Sequence, residues 1–229
     1  MVARAAQARP ARSGHVGTPR QARQALQDGA HGLVVQGVEA GGHLLGVEPI
    51  DRALPRVRDV AGETLLLAAG GVAGAADARR LLDLGASAVV AGTRFLLTEE
   101  SLAHPAYKRR VLAATRTLAT DLFGLGWPLR HRVVPNAATE RWCARDERGA
   151  LVARLAGRLS APLGRVAPME RMGSLASLQR VGVPLFTPAL PLAGMSEEAI
   201  ERRALYAGES ALRIDDLITA AAAVERLTP

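Results

Sequence analysis

Short apolar runs alternate with stretches of helical periodicity through the first half of the chain. Gly32 to Val35, Leu65 to Ala68 and Ala88 to Val90 are aliphatic and too short for helices, which predicts buried strands, with a further strand near His15 to Gly17. Between them, apolar residues recur at helical spacing from Thr18 to about Gln27, from Ile50 to Val60, and again up to Gly85. Thr18 suits an N-cap, and Pro19 stands at the first helical position, where a missing N–H costs nothing. A helix-rich stretch is expected to about Leu122, broken at His104-Pro105. Prolines and glycines punctuate Trp127 to Met195, which predicts an irregular wrapping segment with some helix. Two final helices are expected, from Ser196 to about Tyr206 and from Ile214 to Leu227, with a turn at Gly208.

An internal repeat organises this pattern. Thr18 to Gly37 realigns on Gly74 to Thr93, pairing Ala22 with Ala78, Leu26 with Leu82, Gly29 with Gly85 and Val34 with Val90. The shift of 56 residues covers two strand–helix units. Repeated alternation of this kind predicts an α/β fold with a parallel sheet and helical crossovers. The expected organisation is a disordered leader over 1–14, a strand–helix unit over 15–123, and a helical and irregular segment over 124–229.

Each of three strands runs directly into a glycine turn: Gln36-Gly-Val-Glu-Ala-Gly-Gly-His43, Ala69-Gly70-Gly71 and Ala91-Gly92-Thr93. Glycine lacks Cβ and lets backbone N–H groups approach an anion. Turns that follow successive parallel strands fall at one end of the sheet, where α/β barrels build their active sites. The three turns therefore predict one phosphate-and-flavin pocket.

Composition narrows the function classes. Of 229 residues, 48% are hydrophobic, enough for a sizeable core, but no run reaches the ~20 apolar residues of a transmembrane helix. The net charge of +7 comes almost wholly from arginine, with Lys108 the only lysine. Those arginines are scattered among acids such as Glu99-Glu100 and Asp215-Asp216, so nucleic acid is not an expected partner. The single cysteine, Cys143, fits a reducing cytoplasm and an ordinary thiol.

Four ordered motifs, Gln36 to His43, Leu67-Ala-Ala-Gly-Gly-Val72, Gly92 to Ser101 and Ala103-His-Pro-Ala-Tyr-Lys108, closely resemble the nitronate monooxygenase family, formerly the 2-nitropropane dioxygenases. The resemblance covers about residues 15 to 140, with weaker similarity at Trp127-Pro128, Asn136 and Tyr206-Ala-Gly208. It implies a (β/α)8 barrel of which this chain supplies strands five to eight, binding FMN and oxidising alkyl nitronates with O2 to a carbonyl compound and nitrite. The implied partners are the small nitronate and O2, together with a second copy or a separate chain carrying the other half-barrel. By the same resemblance His43 is catalytic. Gln36, Gly41, Gly42, Gly70, Gly71, Val90, Ala91, Gly92 and Thr93 hold the cofactor, and no metal ligand is assigned. Leu44-Leu45 before Gly46 departs from the family pattern and implies a differently shaped loop.

A neutral imidazole suits the implied role, since it accepts a proton from carbon beside a nitro group. Other residues keep open readings. Glu39 is a second acid–base group or a loop brace, and Arg94 faces the phosphate or pairs with Glu99 or Glu100. His104 is a helix-breaking surface feature, while His15, His31 and His131 have no evident partners. Two further functions fit the same loops: a flavin-dependent enoyl-[acyl-carrier-protein] reductase, and a non-catalytic flavoprotein fragment.

Overall fold

The computed structural model describes residues 12–166 and 176–229, so most of the expected leader and a short part of the expected irregular segment over 124–229 lie outside the described residues. In chain order the first elements are β1 (Ser13–Val16), α1 (Pro19–Gln27), β2 (Gly32–Gln36), the two-residue β3 (Gly42–His43), α2 (Ile50–Ala61), β4 (Leu65–Ala69), α3 (Ala75–Asp83) and β5 (Ala88–Val90). The repeat is physical: α3 begins and ends 56 residues after α1. Both helices close in the same way. Gly29 N bonds to Leu26 O and Ala30 N to Ala25 O, while Gly85 N bonds to Leu82 O and Ala86 N to Leu81 O, all at 2.9–3.0 Å. This Schellman arrangement needs a left-handed residue, and Gly29 and Gly85 have φ of 86° and 97°. The starts differ. Thr18 Oγ1 accepts from Gln21 N in α1, whereas the Asp77 carboxylate reaches back to Ala73 N and Gly74 N in α3.

β1, β2, β4 and β5 form a wholly parallel sheet in that order, with α1, α2 and α3 as crossovers. Side chains alternate across it. Leu33, Val35, Leu66 and Ala68 are fully buried against Ala22, Leu54, Val57 and Leu81 of the helices. Val34, Gln36, Ala69 and Val90 point to the opposite face, which lines a cavity. The chain is thus an α/β protein with a parallel sheet, as the alternation predicted.

The second half departs from expectation in three places. The stretch to Leu122 carries α4 (Gly92–Leu96) and α5 (Pro105–Leu112), but then a strand, β6 (Leu118–Thr120), rather than continued helix. β6 pairs with β7 (His131–Val133), which pairs with β3, giving an antiparallel sheet that joins residues on both sides of position 124. Strands of two and three residues are too short to leave a periodic signal. Two helices, α6 (Ala137–Trp142) and α7 (Leu151–Val166), follow. Ser196 precedes only a 3-10 turn, Glu197–Arg202, and a second such turn spans Glu209–Arg213. The last helix covers Ala220–Leu227 and starts later than Ile214. Residues before it are extended because Glu99 N bonds to Ile218 O, and Thr219 caps the helix through Ala222 N. Among the described residues no helix is long and apolar enough to cross a membrane.

Arg94 resolves differently from either reading. Its guanidinium is 2% exposed, lies 2.6 Å from Asp216 Oδ1, and donates to the main-chain oxygens of Leu97 and Asp216. It therefore clamps the segment before the last helix onto α4. The same contact holds the Asp216 carboxyl below its ordinary pKa. Asp216→Ala strands a buried cation and is expected to cost about 3 kcal/mol, read as a lower urea midpoint. A loss within experimental error would mean that the guanidinium finds water instead.

Candidate functional site

Parallel pairing aligns the strand ends: Val16 lies opposite Val35, Gln36 opposite Ala69, and Ala69 opposite Val90. The chain therefore leaves β2, β4 and β5 at one edge, around a cavity of about 300 Å³. Gln36, Gly41, Gly42, Gly70, Gly71, Val90, Ala91, Gly92 and Thr93 all line it. Gly70 and Gly71 turn at φ of 129° and 70°, conformations that a side chain would strain. Gly41 is required for another reason, since a Cβ there would lie 2.5 Å from Gly208 N.

The α4 ladder starts with Phe95 N on Ala91 O, which leaves the N–H groups of Gly92 and Thr93 without an intrahelical acceptor. Thr93 Oγ1 accepts from Gly208 N at 2.9 Å and keeps its own proton to donate. Gln36 has a bracing role as well as its place in the wall. Its amide donates to His43 O at 2.8 Å and accepts from Leu45 N at 2.6 Å and Gly46 N at 3.3 Å. Gly46 fits this loop only without a Cβ, which would fall 2.4 Å from Gln36 O. Glu39 also braces: both carboxylate oxygens accept from Ile50 N at the start of α2.

His43 stands beside the cavity and not in its wall. β3 places it directly across from His131 of β7, and their ring centroids are 4.3 Å apart. Trp127 and Tyr206 complete the enclosure at 4.8 and 5.7 Å. His43 Nε2 is buried and makes no hydrogen bond. Burial lowers the His43 pKa, which favours the neutral, proton-accepting form. Gly42 and Tyr206 belong both to this cluster and to the cavity lining, so the two are adjacent.

His131, unassigned by sequence, is fully buried. Its Nδ1 lies 3.1 Å from Tyr206 Oη, whose single proton goes to Pro188 O at 2.9 Å. The imidazole must then donate from Nδ1, which fixes its neutral tautomer. Burial first, and then repulsion from His43, push the His131 pKa down to about 3, against a smaller opposing effect of the Trp127 main chain. Tyr107 Oη donates to Tyr206 O at 2.5 Å, so the two tyrosines of the chain are joined. Of the remaining histidines, His15 lines the cavity, His31 Nδ1 accepts from Arg12 N, and His104 caps α5 through Ala106 N.

Sequence reasoning placed the first-half residues and missed the contribution from 127–131 and 206–210. Tyr206, Gly208 and Ser210 line the cavity although they lie more than a hundred positions beyond its first glycine turn. The only signal for them was the Tyr206-Ala-Gly208 similarity. Among the described residues no cluster of His, Cys, Asp and Glu is placed to hold a metal ion.

A family model described as nitronate monooxygenase matches residues 1–229. The chain belongs to this family. A nitronate monooxygenase of Neurospora crassa is 41% identical over 107 residues, which are 44% of this chain and 28% of that protein. A second relative, from Mycobacterium tuberculosis, is named (3aS,4S,5R,7aS)-5-hydroxy-7a-methyl-1-oxo-octahydro-1H-indene-4-carboxyl-CoA dehydrogenase. It is 32% identical over 217 residues, 88% of this chain and 59% of its own. Among solved structures, nitroalkane oxidase from Streptomyces ansochromogenes has a TM-score of 0.69 at 24% identity, covering 99% of this chain and 58% of that one. FabK from Thermotoga maritima has a TM-score of 0.66 at 24% identity, covering 94% and 58%. The last two likenesses concern the fold alone. The nitronate monooxygenase family chain thus spans about three-fifths or less of the length of these relatives.

The buried imidazole predicts a pH-dependent stability. An unfolded histidine binds a proton below about pH 6.5, whereas folded His131 stays neutral until about pH 3, so the unfolded state gains protons first. Stability from this group is complete above pH 6.5 and is lost as pH falls, at roughly 1.4 kcal/mol per pH unit. Urea titrations from neutral pH downward should show this slope, and His131→Phe should flatten it. Equal slopes in both proteins would contradict the burial.

Proposed function

We propose that residues 15–123 form the cofactor-binding half of a (β/α)8 barrel, strands five to eight, with FMN held in the cavity and alkyl nitronates oxidised by O2 at its His43 side. The supporting observation is the convergence of three glycine turns from three aligned strand ends on one cavity. A mononucleotide suits that cradle on three counts. Gly41 and Gly208 approach too closely to admit a Cβ, Gly70 and Gly71 take backbone conformations that expose N–H groups, and the first donors of α4 are unpaired. Arg213, beside the second turn, is held by Gly71 O and Asp77, which supports a phosphate received by main-chain dipoles rather than by a free cation.

When bound, FMN supplies the redox chemistry, passing electrons from the nitronate to O2. The chain's own residues bind, orient and move protons. Gly70, Gly71, Gly92 and Thr93 fix the phosphate end. Gln36 holds the loop that carries His43. His43 Nε2, neutral and unpartnered, accepts the proton of a nitroalkane's acidic carbon to give the nitronate, or, as the N–H tautomer, donates a hydrogen bond to the nitronate. The outer face of the sheet is covered by helices, whereas Val90 on the cavity face is 38% exposed. On that face the central Val34 and Ala69 are buried while His15 and Val90 on the edge strands are exposed. Among the described residues β1 and β5 each have one unpaired edge, which suits completion by four further strands.

A second reading is a flavin-dependent reductase or dehydrogenase of thioester substrates. It draws support from the Mycobacterium tuberculosis relative, whose name specifies a carboxyl-CoA compound and which aligns with most of this chain. Reduction of an enoyl thioester by a nicotinamide, without nitronate turnover, would favour it.

Purified protein carrying the visible absorbance of a flavin is the first expected outcome. His43→Ala should lower nitronate turnover by about 10²–10⁴-fold with flavin retained, and equal rates would remove His43 from the reaction. Gly71→Glu adds a side chain at positive φ and a charge facing the phosphate. FMN affinity by fluorescence titration should fall roughly 10- to 100-fold, about 1.4–2.8 kcal/mol. Unchanged affinity would move the phosphate elsewhere.

A further inference from the structure

We propose that His131 is a positioning residue that sets both the place and the protonation state of His43, a role that rests on His43 being the base. Three observations converge on it. The register of β3 and β7 puts the two histidines directly opposite, so the backbone ladder itself presses one ring against the other. His131 is held from behind: its Nδ1–H is fixed on Tyr206 Oη, which is fixed on Pro188 O, and the Tyr206 main chain is fixed by Tyr107 Oη. Its neutral state places no negative charge beside His43 that would favour an imidazolium.

The other groups around His43 support the same conclusion. From β7, Arg132 donates to Val38 O and Thr117 Oγ1 and pairs with Glu209 at 3.2 Å. From the segment before β7, Trp127 presents an apolar ring, and Arg130 is half-exposed, 3.7 Å from Asp121. From β2, Gln36 is neutral and bound to the His43 main chain. Tyr206 is a phenol whose pKa burial raises, so it stays un-ionised. Glu39, four residues before His43, spends its carboxylate on Ile50 N. Among the described residues no carboxylate touches the His43 ring. A histidine with no anionic partner and a wall of neutral rings is kept as free base, the state that proton abstraction requires. His131 is the wall residue whose own anchoring makes that enclosure rigid.

The test uses the full chain labelled with 15N, following the His43 ring nitrogens by NMR as pH is lowered, without any need for turnover. His131→Ala opens the enclosure to water and should raise the His43 pKa by roughly one unit toward its ordinary value. The acidic limb of kcat/KM for the neutral nitroalkane, whose carbon must lose a proton, should move upward with it. His131→Phe keeps a ring against His43 and should leave both near those of the parent, which a general loss of stability would not reproduce. If the alanine variant fails to fold, His131→Asn opens the same wall more mildly and is read in the same way. A His43 titration unmoved in the opened variant overturns the proposal, even where His43→Ala is inactive. Conversely, a shifted titration with His43→Ala still active would retain the positioning and reject the catalytic reading.

Discussion

Two glycines that touch hold this site together. Gly41, in the loop after β2, and Gly208, far along the chain, approach so closely that a Cβ on Gly41 would fall 2.5 Å from Gly208 N, and one on Gly208 would fall 2.7 Å from Glu39 O. The contact is locked on both sides, by Gly208 N on Thr93 Oγ1 and by Glu209 N on Glu39 O. Three separate parts of the chain, the β2 loop, the start of α4 and the segment 206–209, thereby share one small volume. Without that approach the cavity would lose a wall, and Tyr206 would lose its place between the cavity and His43.

The same clamp explains why a small antiparallel sheet sits beside the parallel one. Val133 bridges to Tyr206, and Val134 N bonds to Leu205 O, so β7 is tied to the clamped segment. β7 in turn pairs with β3, which brings His131 under His43. Burying two imidazoles together carries an electrostatic cost if either is charged, and neutrality is the resolution that burial and fixed hydrogen bonds enforce. Asn136 adds a further tie by donating to Ile200 O and Arg203 O, which fixes the later chain against α6. The stability of the fold and the neutral state of the two rings are thus served by the same contacts.

Legibility in the sequence followed the range of the interaction. The first-half strands and helices were visible because hydrophobic period, N-caps and the glycine ends at Gly29 and Gly85 are local signals. β6, β7 and the late start of the last helix were not, since each exists through pairing with distant residues. The glycine turns were readable as one site because parallel strands deliver their ends to one edge. His131 and Arg94 were not readable, because a lone histidine or arginine reveals its partner only when the chain has folded back on it.

What the sequence determined alone was the α/β alternation, the doubled strand–helix unit, the converging glycine turns and the family. These depend on chemistry within a few residues or on a repeat that carries it. Only the tertiary structure decided that Arg94 is buried on Asp216, that Gln36 and Glu39 brace loops, and that His43 lies against His131 beside the cavity. The Arg94 and His43 outcomes arise from close packing between segments far apart in the chain, and those of Gln36 and Glu39 from the way their own loop folds back on itself. There a missing Cβ or one shared proton selects the geometry, and no local pattern along the chain encodes it.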